Sequence, residues 1–560
     1  MERAAFRFLT VFILISAVGC AHTPPSGSPP AYGVIGSPQI FEGMGSHTRA
    51  VTTTSQEAQQ YFNQGLNWLY AFNHDEAVRS FRKACQFDSG CAMAWWGISY
   101  AQGPNYNDAY MGENRSSAAW VALERALEEI DTESEVERAL IEALAHRYQS
   151  PAPEDRTNLE VAYSEAMAEV WERFPADSDV GTLYAESIMV QNPWHLYTRK
   201  GEPAREATNV ARSVLEQVLI IDPENPGANH LYIHALEPSR DKEKAIAAAD
   251  RLSELVPASG HLLHMPSHIY AQVGLFQRSI EQNIRAMEQD ARYRELSPEQ
   301  GMQYGYMTHN SHMLAFSAMM LGDEELAMRA ARAMWADLPG PALQAVGPFI
   351  DRWLSSVYDV QKRFGRWEEL LAEPAPPEFL PLTTAIWHAH RAIAHAALKD
   401  FDSAEHEQKL FREAMRTLPE SAAWETYAGA LKFLLVSDLF IEGELALQKG
   451  QLTPAIEFLE EAAELEDTLG YGEPPLWLQP VRHTLGVVYL QNDQPLEALR
   501  VYREDLSKWP DNIWSLIGSA QALEILGRVV EANDIKAKCQ RLSAGHNTEV
   551  STSCFCVPST

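Results

Sequence analysis

Seven of the eighteen histidines of this 560-residue chain lie in three short segments between residues 230 and 312. They are His230, His234, His261, His264, His268, His309 and His312. Two HxxxH pairs stand out among them, because imidazoles four residues apart on a helix lie one turn apart and can bind the same ion. The spacing therefore predicts a divalent transition-metal site. All-imidazole ligation suits Zn²⁺, Cu²⁺, Ni²⁺ and Fe²⁺ and does not choose among them.

Two carboxylates are candidates for chemistry at such an ion. Glu237 follows His234 by three residues, and Glu473 lies far along the chain in the segment YGEPPLW. Either could act as general base on a metal-bound water if the site is catalytic. The alternative is that the histidines only hydrogen-bond a peptide or one another.

The elements that carry these residues are predicted to be helices. Amphipathic helical patterning runs from about residue 56 to 542, and a repeat of about 34 residues, the tetratricopeptide (TPR) length, recurs in it. A copy starting at residue 58 places Gly65, Ala77, Phe81 and Ala84 at the packing positions of that repeat. Further copies start at Pro226, Gly260, Thr308, Gln479 and Ile513. We therefore predict an all-α, TPR-type solenoid of antiparallel helix pairs over 56–542, with helical insertions around 103–225.

Within this repeat frame, the clustered histidines fall at positions 2, 5 and 9, and Glu237 falls at position 12. At 100° per residue these positions span an arc of about 80° on the first helix of each repeat. That arc lies off the face that packs on the paired helix, so the side chains are predicted to line the concave groove. Pro266 is expected to kink the second of these helices. The later histidines His388, His390 and His395 share no groove position and are predicted to be incidental.

The two ends of the chain carry different signals. Residues 1–19 are predicted to be a signal peptide, because two arginines precede an apolar run too short to span a membrane. Ala17-Val18-Gly19-Cys20 is similar to a bacterial lipobox, which implies that Cys20 is lipidated. Residues 20–55 are predicted to be a flexible tether and residues 543–560 a disordered tail. The expected location is the cell envelope, anchored by lipid and facing the periplasm, with the outer membrane favoured.

An exported chain can form disulfides. Cys85 is a candidate to bridge to Cys91, and Cys539 to the tail.

Several segments resemble a large, little-characterised family of bacterial TPR proteins with HxxxHxxE and GHLxHMPSHIY motifs. They include GANHLYIHALE, GHLLHMPSHIYAQVG, HNSH and YGEPPLWLQPVRHTLGVVYL, and the resemblance covers about 56–525. It implies a fold and a polar site but no reaction. Matching polar positions beyond the histidine cluster are His74, Asn105, Asn107, Asn310, Trp477, Arg482 and Asp505. For His74 a helix-capping role is the alternative, and for Arg482 a structural ion pair with Glu473.

The function best supported at this point is a scaffold that holds a protein or peptide in its groove, with a bound metal. A metal-dependent hydrolase or oxidoreductase and a periplasmic metal-handling protein are the alternatives. The net charge of −31 argues against nucleic acid as partner. No nucleotide-binding motif and no Ser-His-Asp order stands out, which disfavours nucleotide-dependent and nucleophilic-hydrolase functions.

Overall fold

The computed structural model describes residues 31–34, 36–132, 134–297, 301, 303–419 and 427–556. The predicted signal peptide and Cys20 lie outside these ranges. The described residues form helices and no strand, and they contain one isolated bridge between Tyr197 and Pro203. The all-α prediction is confirmed. In the described part of the chain, no helix combines the length and the apolar character that crossing a membrane requires.

Most consecutive helices pack against each other along the array. In the first half the α-helices are Gln56–Tyr70, His74–Phe87, Ala92–Gln102, Glu113–Glu128, Glu135–Ala145, Thr157–Arg173, Ser178–Met189, Glu206–Ile221, Pro226–Leu236, Ile246–Leu255, Gly260–His264, Pro266–Gln272 and Phe276–Leu296. In the second half they are Gln303–Leu321, Glu324–Ala336, Gly340–Val346, Asp351–Leu354, Ser356–Arg363, Trp367–Ala372, Pro381–Ala397, Phe401–Arg416, Tyr427–Gln448, Leu452–Glu466, Val481–Gln491, Pro495–Lys508, Ile513–Ile525 and Val529–Leu542. Two short 3₁₀ helices cover Ile130–Thr132 and Lys242–Ala245.

The packing positions predicted from the repeat are seen directly. A methyl group on Gly65 would lie 2.6 Å from the Phe81 ring, and one on Gly97 would lie 2.7 Å from the same ring. Gly486 and Gly518 enclose Tyr502 in the same way near the other end of the array, at 2.3 and 2.2 Å. A side chain larger than hydrogen would separate the helices there, so these glycines set how closely neighbouring pairs approach. The solenoid of TPR-type helix pairs is therefore confirmed.

Capping residues and one proline determine where the helices that carry the histidines begin and end. Asn225 caps the helix Pro226–Leu236 by accepting a hydrogen bond from the backbone N–H of Ala228. Ser259 caps the helix Gly260–His264 in the same way, through Leu262. The break between that helix and Pro266–Gln272 falls at Met265, directly before Pro266, which cannot donate to the helical ladder.

The described residues of the predicted tether, 31–34 and 36–55, pack on the array. Phe41 and Met44 are buried, and Gly43 accepts a backbone hydrogen bond from Ala258. His47 lies 2.9 Å from Asp179. The composition of this segment predicted flexibility, but its apolar side chains Phe41 and Met44 are buried in the core that the helices form.

The described residues of the predicted tail, 543–556, also contact the array. Ser553 is fully buried and donates a hydrogen bond to the backbone oxygen of His483. Cys554 and Cys556 form a disulfide with each other. Cys85 and Cys539 are buried thiols, so neither of the predicted bridges is formed.

Candidate metal centre

Three neighbouring first helices bring the predicted histidines together. Each of the helices Pro226–Leu236, Gly260–His264 with Pro266–Gln272, and Gln303–Leu321 contributes at least one imidazole to a common cluster. We call this the histidine cluster, and its members are His230, His234, His261, His264, His268 and His309. Their exposed fractions run from 0% for His230, His234 and His264 to 9% for His309, so the cluster is almost closed to solvent.

One half of the cluster, the distal trio, consists of His264, His268 and His309. The Nε2 atoms of His264 and His268 are 2.7 Å apart, and those of His268 and His309 are 3.2 Å apart. One ligand atom from each residue lies within 4.8 Å of the others, which is close enough for one ion to bind all three.

Hydrogen bonds at the far side of two of these rings decide which nitrogen carries the lone pair. Nδ1 of His264 lies 2.6 Å from Oδ1 of Asn283, whose Nδ2 already donates to the backbone oxygen of Ser279. Nδ1 of His268 lies 2.9 Å from Glu237 and 2.7 Å from Glu473. Both Nδ1 atoms therefore donate, and in neutral rings both Nε2 atoms hold lone pairs. Two lone pairs 2.7 Å apart repel each other unless a proton or a metal ion lies between them.

The other half, the proximal trio, consists of His230, His234 and His261, which also place one ligand atom each within 4.8 Å of the others. Nδ1 of His230 donates to the backbone oxygen of Tyr70 at 2.7 Å, and Nδ1 of His234 lies 2.9 Å from Glu237. Their Nε2 atoms are left as acceptors. Nε2 of His230 faces Nε2 of His261 at 3.2 Å, whereas Nε2 of His234 has no partner among the described residues.

Glu237 and Glu473 contact Nδ1 atoms on the outer side of the rings. The two oxygens of Glu237 face Nδ1 of His234 and Nδ1 of His268, so this carboxylate orients one ligand of each trio. Glu473 accepts from Tyr471, whose hydroxyl in turn accepts from Gln272, 199 residues earlier in the chain. The array therefore curves enough to place a late loop on the cluster.

The carboxylates and the burial of the rings set the charges. Burial lowers the pKa of His268, but the facing carboxylates of Glu473 and Glu237 outweigh it and raise that pKa to about 10. Burial, followed by the neighbouring imidazoles, holds the pKa of His230, His261, His264 and His309 well below the ordinary value of 6.5. Burial and then Glu237 raise the pKa of Glu473. These four histidines are consequently neutral at pH 7, the form in which imidazole binds a metal.

The arrangement limits the catalytic roles that the two carboxylates can have. Because both oxygens of Glu237 are used to orient imidazoles, it is not free to take a proton from a bound water. One oxygen of Glu473, Oε1, has no partner in the described structure. Glu473 is thus the better candidate for a base if an ion here binds a reactive water.

Three residues predicted for the site lie elsewhere. His312 belongs to neither trio and stacks on Trp353 with a centroid distance of 5.4 Å. Arg482 pairs with Asp467 and Glu504 rather than with Glu473. His74 is the first residue of the helix His74–Phe87, and the side chain of Asn73, not of His74, caps that helix. Nε2 of His74 lies 3.3 Å from the Asn105 side chain. Phe72 separates His74 from the cluster.

Two residues that contribute to the site were not predicted for it. Asn283 holds His264 and falls at position 24 of its repeat, the position that Phe81 and Tyr502 occupy in other copies. A polar residue at that packing position was a signal in the sequence. Tyr471 holds Glu473, and nothing in the repeat frame pointed to it.

No protein-family model matches the chain, and no curated protein sequence matches it. Several solved structures match over most of the chain, at low TM-scores. A human IFIT1 dimer with m7Gppp-AAAA is 13% identical, with 88% of this chain and 92% of that chain covered and a TM-score of 0.32. Yeast Tom70 is 12% identical, with 88% and 91% covered and a TM-score of 0.27. The TPR domain of P58(IPK) is 12% identical, with 88% and 99% covered and a TM-score of 0.23. TM-scores in this range support no inference about function.

Proposed function

We propose that this protein is a repeat scaffold whose histidine cluster binds a transition-metal ion. The observation that carries the proposal is the convergence of ligand atoms of His264, His268 and His309 to within 4.8 Å of one another, while Nδ1 of His264 and of His268 donates elsewhere. A metal ion bound by the three rings uses the tautomer that the outer hydrogen bonds impose. A proton on His268, whose pKa rises to about 10 despite burial because Glu473 and Glu237 face it, bridges to Nε2 of His264 and leaves Nε2 of His234 without a partner.

The position of the cluster suggests what the metal does for the scaffold. Its ligands come from three successive repeats, and Glu473 reaches it from a loop near the C-terminal end of the array. Because neighbouring repeats of a solenoid contact mainly each other, a bound ion would add a link among three of them. We therefore assign the ion a structural or ligand-bridging role and propose a protein or peptide as the partner.

The test of metal binding uses protein purified without a histidine tag and passed over a chelating resin. After incubation with Zn²⁺ and gel filtration, we expect bound metal in the wild-type protein and almost none in the double variant His264→Ala/His268→Ala. The matched control is His388→Ala/His395→Ala, which removes two histidines that pair with Glu407 and Asp400. Equal metal content in all three proteins would contradict the proposed site.

We further propose that the protein is exported and anchored by lipid at Cys20, facing the periplasm. The support is the sequence MERAAFRFLTVFILISAVGC, with its two arginines, apolar run and small residues before the cysteine. Replacing Cys20 with Ser should move the protein from the membrane fraction to the soluble periplasm. Membrane association of the variant, with no lipid found on the wild-type protein, would contradict the anchor.

A further inference from the structure

The end of the described chain lies across the last repeats. We call residues 546–556 the tail segment. Nε2 of Gln521 donates to the backbone oxygen of Ser551 at 2.9 Å, and the Phe555 ring lies 5.9 Å from the Trp514 ring with the two planes nearly perpendicular. Gln521 and Trp514 fall at positions 9 and 2 of the last repeat copy. Because these positions carry members of the histidine cluster in earlier copies, the tail segment lies on the groove-facing side of the array.

The groove contacts the backbone of the tail segment at two points. The backbone oxygens of Ser551 and Cys556 accept hydrogen bonds from the side-chain amides of Gln521 and Gln448. Both bonds use main-chain acceptors that every residue has, so they do not depend on the sequence of the bound segment. Grooves that bind peptides combine such main-chain bonds with separate places for a few side chains.

Two side chains of the tail segment occupy such places. Ser553 is fully buried, donates to the backbone oxygen of His483 at 2.9 Å and lies 2.6 Å from the Tyr502 hydroxyl. Phe555, two residues later, lies against the Trp514 ring. The tail segment contains no helix. The groove therefore contacts a hydroxyl and an aromatic side chain of a non-helical chain.

A buried cation beside this segment has no acceptor. Both Nη atoms of Arg363 lack a hydrogen-bond partner among the described residues, and the side chain is 2% exposed. Its Cζ atom lies 3.3 Å from the centroid of the Trp514 ring, the same ring that Phe555 contacts. A buried guanidinium without acceptors is unfavourable, and a carboxylate is the acceptor that matches it best. The tail segment does not supply one here, because residues 550–556 include no acidic side chain.

We propose that this groove docks an extended segment of a partner protein that carries an aromatic side chain and a carboxylate. The tail segment occupies the groove until such a partner displaces it. This inference rests on the proposed scaffold function and adds where the partner binds and which chemistry the groove recognises.

A tethered occupant weakens the binding of any free competitor. The tail segment follows closely on the helix Val529–Leu542, and a segment on so short a connection has an effective concentration in roughly the millimolar range. Ser553→Ala/Phe555→Ala removes the two side chains that the groove contacts and serves as the release variant. The matched control is Asn547→Ala/Thr548→Ala, because these side chains bond two glutamates of the helix Glu324–Ala336 instead.

The probe is a fluorescent synthetic peptide with the sequence of residues 546–556 and its disulfide closed, titrated into each full-length protein. We expect it to bind the release variant roughly 10- to 100-fold more tightly than the wild type or the control. Equal affinity for wild type and release variant would overturn the inference, as would no binding to a release variant that keeps the wild-type circular dichroism. Zn²⁺ content, measured on the same proteins, tests the metal site separately: its absence would overturn metal binding and leave the groove standing.

Peptides in which Asp replaces one residue at a time from 551 to 555 test the carboxylate. At least one should bind the release variant about tenfold more tightly, and that gain should vanish when Arg363→Gln is added. No gain at any position, or a gain that survives Arg363→Gln, would overturn the acidic partner. The wild-type protein needs no substitution: an excess of the best Asp peptide should speed hydrogen exchange in residues 546–556 of the chain, and unchanged exchange would overturn the displacement.

Discussion

The histidines between 230 and 309 and those between 388 and 395 differ in what their ring nitrogens face. In the later group each imidazole has a carboxylate of its own: Glu407 at 2.7 Å from His388, Asp359 at 3.1 Å from His390, and Asp400 at 3.2 Å from His395. In the histidine cluster the nitrogens face each other, as with His264 and His268 at 2.7 Å. Both groups are dense in histidine, and only one is arranged as a ligand set.

The difference lies at the inner nitrogen of the rings. In the histidine cluster, carbonyl, amide and carboxylate acceptors hold Nδ1, and Nε2 atoms of neighbouring rings meet, as in His264 and His268. In the later group His388 and His395 also meet their carboxylates through Nδ1, whereas His390 presents Nε2 to Asp359. A count of histidines does not separate these cases, whereas the meeting of inner nitrogens does.

Acidification should give the largest effect on the histidine cluster. Burial and neighbouring imidazoles hold the pKa of His261, His264 and His309 well below 6.5, so the folded protein without metal does not protonate them as the pH falls. The unfolded chain does protonate them, which lowers the free energy of unfolding by about 1.4 kcal/mol per pH unit for each site below about pH 6.5. The raised pKa of His268 acts at higher pH: its contribution is complete below pH 6.5 and is lost as the pH rises toward 10.

Urea unfolding of the chelated protein between pH 7 and 5 measures this slope. His261→Phe keeps an aromatic ring beside Tyr306, 4.6 Å away, and should reduce the slope by about one site's share. A slope that is the same in wild-type and His261→Phe protein would contradict a neutral, buried His261.

Removal of metal should produce the next largest effect. Saturation at a thousand times the dissociation constant stabilises the folded state by about 4 kcal/mol, because the ion binds the native arrangement of ligands. We expect thermal unfolding of the zinc-loaded protein to shift to lower temperature when a chelator is added. His264→Ala/His268→Ala should not respond to the chelator, and His388→Ala/His395→Ala should respond as the wild type does.

The fold could be predicted from the sequence because its information is local. Gly65, Phe81, Gly486 and Tyr502 recur at fixed positions of the repeat, and each position contacts only the neighbouring helix. The same frame placed five histidines on the groove-facing arc of two successive helices. It therefore predicted the core of the site together with the fold.

The repeat positions did not predict contacts that depend on the curvature of the whole array. Glu473 joins His268 because the superhelix brings a late loop onto the cluster, and curvature accumulates from small rotations that no single repeat reveals. His312 occupies a groove position by count, yet Trp353 from the next repeat covers it. The ordering of residues 36–55 likewise depends on contacts with helices far along the chain.

Glu237→Gln tests whether the outer acceptors matter. An amide keeps the size of the side chain but replaces one carboxylate oxygen by a donor, so it cannot accept from both His234 and His268. We expect the affinity for Zn²⁺ to fall about 10- to 100-fold, the usual range for loss of an outer-shell partner. The matched control is Glu407→Gln, which alters the carboxylate of His388 and should leave the Zn²⁺ affinity unchanged. Isothermal titration calorimetry of both variants with Zn²⁺ measures the two affinities.

Arg482→Ala should have the smallest effect. The resemblance grouped Arg482 with the polar site, but its guanidinium binds Asp467 at 2.7 Å and Glu504 at 3.3 Å, and Asp467 is more than a third exposed. Ion pairs this accessible to solvent contribute no more than about 1 kcal/mol, so we expect a slightly lower melting temperature and an unchanged affinity for Zn²⁺. Asp467→Asn, which breaks the same pair from its other side, should match it in both measurements. A tenfold loss of Zn²⁺ affinity in Arg482→Ala but not in Asp467→Asn would show that Arg482 acts on the metal site by a route other than this pair.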